Sequence, residues 1–403
     1  MKLKTTISFL FFIVCSHLSY SQEKPQICSC LLLKETEEND TKVIALAEYV
    51  EASLHNLSTD EFNEKFDVPS FINGVTNHQL IDSENSFTKN FMEGTSTIGK
   101  QLSQQLVNLI ETGSYYNLIN YRYNIVDRAY YFTFRLFSEE TGVNYHDYKV
   151  CSNGETLKFN DIYIYLTGEP LSTTMQRIFL LSKPIGKEDA YALNSDNHRN
   201  VFLFLESQKL AKKGKYEAAF NTISKITSPM AEEKFTRLTK ANYAMAYDGK
   251  MYEVLLEEYA EQFPKDPTLY LKLIDYYIVK GNFKLAIKNI DKLMYETDDD
   301  FLNLLKGNVY MLSEDYETAE SHYGYIMQNY PDLFQGYIGY IVSLNFQNRF
   351  EDIIIVIEDL LEQGYDREAL LEFIEESEAD GSNQIDAFLS SKKYKKWKRK
   401  SKS

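Results

Sequence analysis

The chain has 403 residues, 44% hydrophobic and 25% charged, with 31 Tyr and 25 Phe against a single Trp. At roughly 150 residues per domain this length gives two to three domains with a sizeable core, which excludes a disulfide-stapled miniprotein. A net charge of −16 disfavours nucleic acid as the main partner, because phosphate binding depends on clustered Lys and Arg.

Residues 1–21 carry the three parts of a secretory signal: Lys2 and Lys4, an apolar core from Ile7 to Val14, and small residues in Ser19-Tyr20-Ser21. Cleavage is expected after Ser21, so the mature chain is expected in the periplasm or outside the cell. The apolar core is too short to span a bilayer. Cys15 follows Phe12-Ile13-Val14 and lacks the small residue that a lipid-attachment signal wants directly before it. Beyond residue 21 lie Cys28, Cys30 and Cys151. In an oxidising compartment the plausible states are a bridge from Cys151 to Cys28 or Cys30, a Cys28–Cys30 ring, or free thiols.

From Glu35 to about Leu57, apolar residues at Val43, Leu46, Ala47, Val50 and Leu54 recur at helical spacing. A short helix is predicted over Thr59–Phe66, capped by Ser58. A third is predicted over Thr97–Glu111 and ends at Gly113. After Gly113 the period changes to that of strands. Asn117–Val126, Ala129–Phe137, Val143–Cys151 and Thr156–Leu166 are rich in Tyr, Phe, Ile and Val and are separated by turn sequences. They predict an antiparallel meander with one face packed on the helices. Helices followed by a curved sheet over Cys30–Leu181 resemble the cystatin-like and ketosteroid-isomerase-like α+β rolls. The resemblance implies a pocket between sheet and helix.

Candidate chemistry for such a pocket is limited. Asp147 and Asp161 lie among Tyr145, Tyr148, Tyr163 and Tyr165, and a carboxylate buried among tyrosines can act as a general base. The alternative places both at strand ends or on a solvent face. No nucleophile–base pair or Gly-rich phosphate loop accompanies them, and His55, His78, His146, His198 and His322 make no ligand spacing. No catalytic residue, metal or cofactor is therefore assigned.

The division expected is a roll over 22–183, a linker over 184–197, a helical array over 198–390 and a basic tail over 391–403. Within the array one turn recurs: Gly214-Lys215-Tyr216 with Ala219, Lys250-Met251-Tyr252 with Leu255, Gly281-Asn282-Phe283 with Ala286, Glu314-Asp315-Tyr316 with Ala319, and Asn348-Arg349-Phe350 with Ile353. The aromatic steps are 36, 31, 33 and 34 residues, close to the ~34-residue tetratricopeptide period. Residues 198–364 resemble a tetratricopeptide repeat array. Gly307 and Tyr310 fall on the small and aromatic positions of a first helix, and Pro267 and Pro331 close repeats. Leu255 and Ile353 depart from the usual Ala. Closing helices are expected over Arg367–Ala379 and Asn383–Ser390 to cap the array.

The resemblance puts the first helix of each pair on a concave face that binds protein. Registered on the anchors, that face carries Arg237, Lys240, Asp275, Phe301, Leu304, Asn308, Ile338, Val342 and Phe346. Its mostly apolar later positions predict a protein or peptide partner held by apolar contacts along an extended segment or helix, not by a terminal carboxylate. The other reading has Phe301, Ile338 and Phe346 packing inside the array. A second functional reading makes the roll an enzymatic or small-ligand domain and the array its adaptor. Residues 351–380 hold twelve acidic residues against one basic, whereas 392–402 hold eight basic and no acidic residue. That tail suits an anionic envelope surface, a polysaccharide or an acidic protein, unless it folds back on the acidic helices.

Overall fold

The computed structural model describes residues 28–76, 86–138, 142–154, 156–182, 195–264, 266–376 and 383–400. The expected signal segment and most of the expected linker lie outside them. Helix α1 (Glu37–His55) starts where the Thr36 hydroxyl accepts the Asn39 N–H at 3.2 Å, with Glu37, Glu38 and Asp40 in its first turn. Ser58 caps α2 (Thr59–Glu64) in the same way. Helices α3 (Val68–Val75), α4 (Ser86–Thr95) and α5 (Ile98–Glu111) follow. The first two of these were not read from the sequence, since α3 is too short for a period and α4 buries only Thr88 and Thr95.

Strands β1 (Tyr115–Asn124), β2 (Ala129–Ser138), β3 (Gly142–Ser152), β4 (Leu157–Ile164) and β5 (Glu169–Pro170) form one antiparallel sheet in chain order. It is the expected meander with a short fifth strand, and α6 (Leu171–Ser182) closes the unit. One face of the sheet presents Phe132, Phe134, Tyr148, Val150, Phe159 and Ile162 to Val43, Val50, Leu54, Phe62, Phe71 and Leu106 of the helices. A disulfide joins Cys28 to Cys151, Cα to Cα 5.4 Å, and leaves Cys30 a free thiol.

Ten helices then pair as hairpins: α7 (Ser195–Ala211) with α8 (Tyr216–Ile223), α9 (Lys234–Met245) with α10 (Gly249–Gln262), α11 (Pro267–Val279) with α12 (Phe283–Thr297), α13 (Asn303–Leu312) with α14 (Tyr316–Asn329), and α15 (Phe334–Phe346) with α16 (Phe350–Glu362). The recurrent turn has a backbone cause. Gly214, Gly281, Glu314 and Asn348 all take left-handed φ angles of 58° to 70°. Each sits two residues before an anchor aromatic that opens the next helix. The αL residue ends the first helix, and the aromatic restarts the chain. Ala219, Ala286, Ala319 and Ile353, three residues into the second helices, are fully buried. Close approach between hairpins centres on Tyr323, which lies against Gly307 of α13 and Gly339 of α15. A Cβ on Gly307 would fall 2.8 Å from the Tyr323 ring. Helices α17 (Arg367–Glu375), α18 (Asp386–Ser390) and α19 (Lys392–Lys400) cover the far end.

The second face of the sheet is buried against this array. Phe137, Val143, Tyr145 and Tyr165 share one apolar cluster with Tyr270, Leu271, Ile274, Phe301 and Leu302. Asp299, just before α13, accepts from Arg135 Nη1 at 2.6 Å and from Tyr145 Oη at 2.7 Å. Asp266, the cap of α11, accepts from Tyr163 Oη at 3.1 Å and Tyr259 Oη at 2.5 Å and pairs with Lys234 at 2.7 Å. Glu233, before α9, takes Arg177 Nε at 2.8 Å.

On the helix-covered face, His146 is fully enclosed. Its Nε2 meets Asn144 Nδ2 at 3.0 Å and its Nδ1 meets Tyr116 Oη at 2.9 Å, which in turn lies 2.7 Å from Tyr148 Oη. Burial pushes the imidazole down to about 4. Its unfolded value is about 6.5, so between these values the unfolded chain binds the extra proton. The stabilising contribution of neutral His146 is therefore complete above about pH 6.5 and is lost as pH falls toward 4, a change of about 3 kcal/mol. Urea denaturation of the wild type and of His146→Gln should show the stability gap between them narrowing by roughly that amount from neutral to mildly acidic pH. A pH-independent gap would show that this histidine does not couple protonation to folding.

Candidate functional site

Between the free end of the β2–β3 hairpin and the first helices α11, α13 and α15 lies an apolar cavity of about 800 Å³. The sheet supplies Phe137, Val143 and Leu166, and the helices supply Ile274, Ile278, Leu304, Leu305, Met311 and Val342. Six of the nine residues that the repeat register put in the groove line it: Asp275, Leu304, Asn308, Ile338, Val342 and Phe346. Leu312, Phe346 and Phe373 at this cavity are large apolar side chains left about half exposed.

The other three residues lie elsewhere. Phe301 is buried in the joint between sheet and array, edge-on to Phe137 at 5.0 Å and 3.7 Å beneath the Arg135 guanidinium. Its groove assignment is corrected: the surface it covers belongs to the chain's own sheet. Arg237 pairs with Glu232 at 2.6 Å, and Lys240 sits 5.4 Å above the Phe220 ring. Both belong to α9, outside the cavity lining. Among the described residues, Lys272 is the one cation in the lining. Burial pushes its amine down and the Asp275 carboxyl up, each opposed by the other's charge. Asn308 already accepts the Tyr323 hydroxyl at 2.7 Å. The walls thus offer apolar contact and little to fix a terminal carboxylate.

Asp147 and Asp161 line a second, polar cavity of about 840 Å³ on the same face of the sheet, opposite Lys234, Phe263 and Asp266. They are neither at an open sheet face nor in a pocket between sheet and N-terminal helices. Asp147 accepts from Arg122 Nη2 at 2.5 Å, Thr133 Oγ1 at 2.7 Å and Tyr165 Oη at 3.3 Å, so both its oxygens are held by the chain's own donors. Asp161 accepts the Ser172 backbone N–H at 3.0 Å and the Ser172 hydroxyl. Burial pushes its carboxyl up, against the pull of Ser172 and Lys149. The aromatic walls are taken too, with Arg122 5.3 Å over Tyr131 and Lys234 5.1 Å over Phe263.

No protein-family model matches the sequence, and no curated protein matches it. Among solved structures, part of the chain is similar to MamA AMB-1, with 16% identity, a TM-score of 0.35, and coverage of 43% of this chain and 98% of that one. A mutant of MamA aligns with 15% identity and a TM-score of 0.33 over 42% of this chain and 99% of that one. At these scores the description of the array rests on its own helix pairs and turns.

Single substitutions separate the two environments. Phe301→Ser removes a buried ring and should cost about 3–5 kcal/mol, whereas Phe346→Ser, at a site 48% exposed, should cost less than about 1 kcal/mol. Chemical denaturation of both variants checks this, and equal costs would contradict the placement of Phe301 in the joint.

Proposed function

We propose that this is an exported, non-enzymatic scaffold that holds a protein or peptide partner by an apolar segment inserted into the cavity between the sheet and α11, α13 and α15. The observation that carries the reading is the exposure of Leu312, Phe346 and Phe373 at the rim of a cavity already lined with apolar side chains. Exposed apolar groups that adjoin a concave site are retained where association covers them. A repeat array with a docked domain is a rigid surface for such a contact, and rigidity lowers the ordering cost of binding. Export rests on the signal-like residues 1–21, and the mature chain is proposed to begin at Gln22.

Cross-linking capture of the mature protein from its own cell envelope tests the proposal. The wild type should retain a discrete partner, and Leu312→Asp with Phe346→Asp should lose it with the thermal melt little changed. Unaltered capture by that variant would remove the cavity from the interface.

A second reading is favoured by one observation, the position of both Asp147 and Asp161 on a polar cavity. In that reading the cavity takes a small polar ligand. Native mass spectrometry of the protein should then show a co-purifying small molecule that Lys149→Glu loses. Wild-type protein of bare-chain mass would dismiss it.

A further inference from the structure

The basic tail is a helix with two chemically different faces. Helix α19 packs its inner face on the acidic end of the array. Tyr394 is buried against Phe388 at 4.9 Å, Trp397 Nε1 donates to Glu358 at 3.0 Å, and Lys393 and Lys398 pair with Glu351 and Glu375. The tail thus folds back on the acidic helices, and two of its cations, Lys393 and Lys398, are paired in doing so. Lys392, Lys395, Lys396 and Arg399 stand at i, i+3, i+4 and i+7, a single helical stripe on the side opposite Tyr394 and Trp397. All four are exposed. Among them Lys395 donates to the Ser390 carbonyl at 3.0 Å, a contact that leaves its charge unneutralised.

We infer that this stripe is a docking surface for an anionic lipid bilayer, which the protein meets through phosphate headgroups without insertion. The stripe runs about 10 Å along a straight helix, and its four residues are exposed. Both aromatics are turned inward, which leaves no stacking platform for nucleotide bases. The same inward turn leaves no apolar wedge for the acyl region. What remains is a flat row of cations suited to a flat array of phosphates. The rest of the chain is so acidic that the whole carries −16. An anionic membrane repels the chain as a whole, so the contact made by the stripe is weak. This inference is independent of what the apolar cavity binds.

Flotation of the intact exported chain with phosphatidylcholine vesicles, with and without phosphatidylglycerol, provides the test. Binding should require phosphatidylglycerol and low salt. Converting the stripe residues to Gln one after another should weaken partitioning by about fivefold per cation. The paired change Lys392→Glu and Arg399→Glu should abolish binding with an unchanged melt. Trp397, the chain's single tryptophan, should show no blue shift on binding because its ring stays docked on α16. Equal binding by the stripe variants or equal binding to neutral vesicles would overturn the inference. So would a Trp397 blue shift, or binding to heparin or DNA but not to vesicles at low salt.

Discussion

Three carboxylates spaced 33 residues apart, Glu233, Asp266 and Asp299, fix where the two halves of this molecule meet. Each stands at the entrance to the first helix of a hairpin, and each meets a cation together with a group from the sheet unit: Arg177 for Glu233, Lys234 and Tyr163 for Asp266, Arg135 and Tyr145 for Asp299. Buried ion pairs add little net stability, because desolvation offsets much of their attraction. The apolar contacts around Phe137 and Phe301 supply the driving force. The carboxylates supply position. A repeat array offers nearly the same surface every 33 residues or so, and a sheet held by apolar contact alone could sit one repeat along. Asp332 continues the spacing and is exposed. A slipped sheet would separate Arg135 from Asp299, both buried, and buried charge without its partner is costly.

Docking also accounts for the tyrosines of the joint. On the array-facing side of the sheet a side chain must pack against helices and still satisfy a carboxylate. Tyr145, Tyr163 and Tyr165 do both, with the ring in the joint and the hydroxyl on Asp299, Asp266 or Asp147. On the other face Phe132, Phe134 and Phe159 pack beside Tyr116, Tyr130 and Tyr148, whose hydroxyls meet one another, His146 or Asp40. The sheet is therefore buried on both sides, and the groove that the array would present alone is filled over part of its length by the chain itself.

What could be read from the sequence follows the range of the interaction. The hairpin turns were legible because their cause is local: an αL residue at 214, 281, 314 or 348 sits two positions before an aromatic. The meander was legible because strand alternation and turn residues are local as well. Docking was not, since Tyr145 and Asp299 are 154 residues apart and nothing in either neighbourhood names the other. Phe301 shows the consequence. A groove facing a partner and a joint facing one's own sheet both call for an apolar side chain, and register alone cannot tell them apart. Arg237 and Lys240 lie on a first helix, α9, but which helices bound the cavity is decided by where the sheet sits.

The irregular repeat steps of 36 and 31 residues fall at the same joint. In the second hairpin no left-handed residue precedes the anchor, and α10 begins at Gly249, three residues before Tyr252. Into this hairpin and the start of α11 projects the β4–β5 turn. Gly168, at φ +71°, lies so close that an added Cβ would be 3.0 Å from Leu238, 3.2 Å from Thr268 and 3.4 Å from Tyr259. Thr268 Oγ1 fixes the turn by donating to the Tyr165 carbonyl at 2.5 Å. The departure from the repeat at one hairpin coincides with a place where the sheet unit inserts its backbone, and the later, regular hairpins are left to shape the open cavity.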